Sequence, residues 1–111
     1  MAREGLGEFE QTVMLAIVHL RHGVYGVPIV DEIERRTGRE VARAAVYITL
    51  RRLEEKGLVA SWMSEPTAGR GGKPRRLVEV TAAGLRALKE SREFLNTMWR
   101  GVELAPKRSR P

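Results

Sequence analysis

The stretch from Val41 to Thr81, VARAAVYITLRRLEEKGLVASWMSEPTAGRGGKPRRLVEVT, decides the fold. Its first part, Arg43 to Lys56, has apolar residues at Val46, Leu50 and Leu53. A spacing of four and then three marks one face of a helix. Gly57 ends that helix, because glycine takes the left-handed C-cap conformation without steric cost. Leu58 to Ser64 and Leu77 to Val80 are short apolar-rich runs, readable as two strands. Between them, Glu65 to Arg76 carries three glycines, two prolines and four basic residues.

A helix that runs directly into a hairpin with a long, basic, glycine-rich tip is the layout of a winged helix. The expected fold class is therefore α+β, mainly α: a winged helix-turn-helix with one further helix behind it. In that layout the helix enters a DNA major groove and the hairpin tip lies along the backbone. Steps of 100° along the helix place Ala44, Ala45, Ile48, Arg51 and Arg52 opposite the core stripe. Small side chains let a helix approach the groove floor, and alanine or isoleucine can touch thymine methyl groups. Arg51 can reach a phosphate or a guanine edge, and Arg43 opens the same helix. Tyr47 lies at the flank, where a phenol can either bond a phosphate oxygen or pack against the wing. In the wing, Arg70, Lys73, Arg75 and Arg76 are expected to contact phosphates, since a glycine-rich tip suits charge better than fixed base geometry.

The order of motifs resembles the PadR family of bacterial transcriptional regulators. YITLRRLEEKGLV, then GRGGKPRRLVEVTAAG, then a further helix carry the likeness, with Tyr25-Gly26 upstream. It covers about residues 8 to 100. Two positions depart from the family pattern. Alanine stands at 45, at or next to a hydroxyl residue of the family, which puts any contact made there in doubt. Leu77-Val78 replaces an aromatic pair, so the strand should form without aromatic packing.

Upstream, Glu8 to Arg21 reads as a helix with Phe9, Val13, Ile17 and Leu20 as its core stripe. Met14, Ala16 and Val18 widen the stripe beyond one small core, so a second surface should cover this helix. Gly23 is expected to stop it. His19 and His22 stand three apart, but a metal needs three or four ligands and no further cluster is visible, so no metal site is expected. Tyr25-Gly26 reads as a turn and Pro28 suits the first position of the next helix. Asp31 and Glu32 should favour that helix's N-terminus and Arg35 and Arg36 its C-terminus. Ile29, Val30 and Ile33 form its buried side, Gly38 closes it, and Arg39 to Ala42 connects onward, with room for a short strand.

Downstream, Thr81 to about Glu103 reads as the last helix, capped by Thr81. Leu85, Leu88, Leu95, Trp99 and Val102 make a heptad-like seam, broadened by Ala87, Phe94 and Met98. A three-helix core has no room for such a face. A homodimer is therefore expected, with Leu88, Leu95, Met98 and Trp99 at the interface. The expected division is a winged-helix DNA-binding domain over 1–80, a dimerisation helix over 81–104 and a disordered basic tail over 105–111.

Composition sets the outer bounds. One hundred and eleven residues fit one domain, and a net charge of +6 favours polyanionic partners. Cysteine is absent, so neither disulfides nor thiolate metal sites are available. No apolar run approaches the ~20 residues that span a bilayer, and MAREGLGEFEQ lacks an apolar signal core, so a cytoplasmic protein with no membrane partner is expected. No catalytic triad, cysteine nucleophile or phosphate loop is present, and GRGG at 69–72 lacks the spacing of a nucleotide loop. Neither enzymatic activity nor a cofactor is expected.

The resemblance implies a dimeric regulator that binds a double-stranded operator near its own gene or a neighbouring transporter or stress gene, as a repressor. Two readings stand for Phe94 and Trp99: that both only pack between subunits, which is the favoured one, or that, as the resemblance suggests, they hold a small planar apolar effector near the two-fold axis. The competing reading is a DNA-binding or protein-interaction winged helix without regulation.

Overall fold

The computed structural model describes residues 5–66 and 72–105. Among these residues the chain forms, in order, α1 (Glu8–Leu20), α2 (Val27–Thr37), α3 (Arg43–Glu55), β1 (Val59–Met63), β2 (Arg76–Val80) and α4 (Ala82–Trp99). The strands pair antiparallel, with Val59 opposite Val80, Ser61 opposite Val78 and Met63 opposite Arg76. This is the expected mainly helical winged helix-turn-helix.

One core joins these elements. Val13, Met14, Ala16 and Ile17 of α1 meet Ile29, Val30 and Ile33 of α2 and Val46, Leu50 and Leu53 of α3, closed over by Val59, Val78 and Val80 of the sheet. The four-and-three spacing on α3 thus lies fully inside, and Thr49 on the same side is buried with it. Met14 and Ala16 belong to this core, so they leave nothing for a second surface. On α1 the exposed apolar residues are Leu15 and Val18.

The ends of α1 and α2 correct three expectations. Gly23 does not stop α1; Arg21 does, with a φ of 64°. Gly23 instead lies buried beside the sheet, where its carbonyl accepts from Val78 N at 2.9 Å. Pro28 is the second residue of α2, after Gly26 as N-cap. Glu32 lies beyond the first turn, so it does not serve the helix N-terminus. Its carboxylate accepts from Arg35 and Arg36 on the same helix. These bonds, from Arg36 first and Arg35 second, hold its pKa below the ordinary carboxylate value. The connection at 39–42 forms no strand; the extra pairing comes from Val24, which makes an isolated antiparallel bridge to Leu77.

Thr81 is the joint between the sheet and α4. Its hydroxyl accepts from Gly84 N at 3.1 Å and donates to Gly57 O at 2.8 Å. One side chain therefore caps α4 and fastens it to the glycine that ends α3. Gly84 packs so closely on Leu58 O and Val80 that a Cβ there would collide with both, and it would press on the end of Met14. Leu88, one turn on, is buried in the core cluster. Its expected place on an exposed interface seam is therefore overturned: the core takes it, because Gly84 draws the first turns of α4 onto the sheet.

Beyond Leu88 the helix leaves the body. Phe94, Leu95, Met98 and Trp99 are all exposed, as is Leu85 on the near half. The helix ends at Trp99 rather than near Glu103, because Gly101 takes a φ of 82° and Val102 N turns back to Trp99 O at 2.9 Å. Val102 then lies past the turn at 100–101 and does not extend the helical seam. Among the described residues no helix is long and apolar enough to cross a membrane.

Candidate nucleic-acid interface

The outer face of α3 is where the sequence placed it. Ala44, Ile48, Arg51 and Arg52 are exposed, and Ile48 keeps 57% of its surface in solvent. Core packing does not explain an isoleucine this exposed. Arg43 is exposed at the first helical position. Ala45 is different. It is half-buried at the edge of the core face, so it borders the outer surface instead of leading it.

Tyr47 sits between the two readings given for it. Its ring stacks at an angle of 39° on Tyr25, with centroids 5.6 Å apart, and closes over Gly26. It is nonetheless 39% exposed. The contact is with the turn that opens α2, a partner the sequence reading did not name. Tyr25, Tyr47, Ile48, Arg51, Glu54 and Arg76 line a cleft of about 390 Å³ between α3 and the base of the wing. Tyr25 was legible only as part of a turn. Its pairing with Tyr47 bridges 22 positions of sequence, and no local pattern reports it.

The wing starts from a regular hairpin. Ser64 and Arg75 close it, with Ser64 N bonded to Arg75 O at 2.7 Å and Arg75 N to Ser64 Oγ at 2.8 Å. Lys73 and Arg75 are exposed on its return arm. Arg70 lies outside the described residues. Arg76 behaves differently from its basic neighbours. In a strand, residues two apart share a face, and Val78 and Val80 face the core. Arg76 thus starts on the core-facing side, and its guanidinium lies 4.9 Å over the Tyr25 ring.

The candidate effector residues do not converge within the chain. Phe94 and Trp99 stand five apart on α4, about 140° around the helix. Phe94 lines an open cavity of about 710 Å³ together with Leu6, Gln11, Lys56, Leu58 and Leu95; Trp99 does not. This cavity also touches the end of α3 through Lys56, whose ammonium pairs with Glu10 of α1 at 2.8 Å. His19 and His22 are exposed, and among the described residues no group of three potential metal ligands comes together.

Comparison with known proteins agrees with this geometry. A family model described as "Transcriptional regulator PadR-like family" matches residues 14–90. A PadR family transcriptional regulator from Eggerthella lenta is 31% identical, with a TM-score of 0.63 over 85% of this chain and 81% of that one. A transcriptional regulator from Clostridium thermocellum has a TM-score of 0.66 at 21% identity, covering 83% of this chain and 84% of that one. A PadR family regulator from Clostridium difficile matches at 0.64 and 20% identity, over 83% and 95% of the two chains. At these lower identities the likeness speaks for the fold alone. No curated protein matches the chain in sequence. The family match spans more than half of the chain, from the core of α1 to the buried part of α4, and the chain belongs to the PadR-like family of transcriptional regulators.

Proposed function

We propose that the chain is a sequence-specific, double-stranded DNA-binding repressor that works as a homodimer. The observation that carries this reading is the outer face of α3. Ala44, Ile48 and Arg51 form an exposed surface of small, apolar and basic side chains that the core does not need. Beside it stands a hairpin with Lys73 and Arg75 exposed. Such a face suits groove contact, and such a hairpin suits phosphates. Residues 1–80 would then be the DNA-binding part and 81–104 the dimerisation part.

Dimerisation is supported by the exposed far half of α4. Leu95, Met98 and Trp99 would form an apolar patch in water, and such patches mark interaction sites. Leu15 and Val18 of α1 add to the apolar surface. A two-fold pair would set two α3 helices on adjacent turns of a pseudo-palindrome, ~34–36 Å apart. The effector reading rests on the cavity beside Phe94. A planar apolar molecule there would touch α1, α4 and the end of α3 together.

The deciding experiment is a mobility shift of the purified protein on the DNA upstream of its own gene, against random duplex of equal length. A preference for the upstream site that persists as salt rises supports a regulator. Equal affinity for both would leave a DNA-binding module without an operator.

A further inference from the structure

We propose that Arg76 is a positioning residue, and that it ties the wing to the recognition helix instead of contacting phosphate. The proposal rests on the DNA-binding reading above. Four contacts hold this arginine. Its guanidinium lies 4.9 Å from the centroid of the Tyr25 ring. Its Nη2 donates to Ser61 Oγ at 3.2 Å and stands 4.0 Å from Glu54 Oε1. Its carbonyl accepts from Tyr25 N at 3.0 Å.

The partners are themselves linked. Ser61 Oγ donates to Glu54 Oε2 at 2.9 Å while it accepts from Arg76, which uses both roles of a hydroxyl. Tyr25 stacks on Tyr47 of α3. Arg76 therefore reaches α3 by two routes, through Glu54 near its C-terminal end and through Tyr25 and Tyr47 near its middle. Among the described residues the sheet has only two strands, and a two-stranded hairpin is marginal by itself. A brace at its base would fix the angle at which Lys73 and Arg75 face the DNA. An arginine suits the post because a planar guanidinium stacks on a ring and bonds sideways at once, which an ammonium cannot do.

Two sets of measurements test this on the full-length protein. The first needs no DNA: thermal unfolding of Glu54→Gln, Arg76→Gln and the double variant. Coupling between the two positions is expected; additive effects would overturn the brace. The second is duplex affinity as a function of salt. Glu54→Gln should weaken binding about two- to fivefold, the scale of an exposed cation–π or ion-pair contact. Arg76→Lys should weaken it by a similar factor with the salt slope unchanged. If Arg76 instead contacts phosphate and Glu54 only competes for it, Glu54→Gln will bind DNA more tightly and Arg76→Lys will match the wild type. That pattern overturns the proposal. Should no duplex bind at all, the DNA reading fails, while the coupling measured by unfolding still decides the brace.

Discussion

Tyr47 closes over Gly26 so tightly that no side chain fits at position 26: a Cβ built there would lie against the tyrosine's hydroxyl and ring. Gly26 also takes a φ of 87°, which L residues rarely adopt. The turn that starts α2 and the middle of α3 are thus locked together at a residue defined by what it lacks. Gly26→Ala should cost about 1–3 kcal/mol, as strained backbone at such positions does. Adding Tyr47→Ala should recover only part of that loss in thermal unfolding, since the strain in φ remains. Full recovery would assign the whole effect to the collision.

On α3, Ile48→Glu should abolish preference for the operator. Its exposure means the change should move stability by no more than about 0.5 kcal/mol. A folded variant that still selects the operator would show that another face of α3 enters the groove. Ala45→Glu is a poorer probe, because Ala45 is half-buried and the change disturbs packing as well.

In the wing, Lys73→Ala and Arg75→Ala should each weaken binding to every duplex alike and lower the salt slope by about 1. Titrations at several salt concentrations measure both quantities. An unchanged slope in the double variant would remove the wing from the interface.

Leu88 and Leu95 share one side of α4 but should respond in different ways. Leu88 is buried in the core, so Leu88→Ala should lower stability by about 2–3 kcal/mol at any protein concentration. Leu95 is exposed, so Leu95→Glu should leave the fold intact and yield a monomer in sedimentation. A dimer that survives Leu95→Glu would place the interface elsewhere.

Acid should loosen the contact between α1 and α3. Partial burial of Glu10 acts to raise its pKa, but hydrogen bonds from Lys56 and from Gly7 N, with the charges of Lys56 and Arg52, outweigh it and the net shift is downward. A depressed carboxylate contributes stability above its unfolded value, 4.5, and loses it as pH falls through the folded value. Unfolding measured from pH 6 down to pH 3 should therefore show less acid sensitivity in Glu10→Gln than in the wild type. Parallel curves would mean that the pair adds nothing to folding.

Most of the fold was legible because it is written locally. Val46, Leu50 and Leu53 announce a helix face, Gly57 its end, and Thr81 the start of the next helix, each within a few residues of what it controls. The α3 surface at Ala44, Ile48 and Arg51 followed from the same periodicity. What the tertiary structure alone decided concerns residues far apart in the chain. Leu88 looked like Leu95 in sequence, yet the close approach at Gly84 buries one and leaves the other in solvent. Arg76 looked like Arg75, yet strand alternation and the ring of Tyr25 turn it toward the body. Ala45 looked like Ala44, yet Thr49, one turn away on its side of the helix, lies in the core. The outcome depends on which neighbour the fold brings up against the side chain, and a periodicity within one element carries no record of that neighbour.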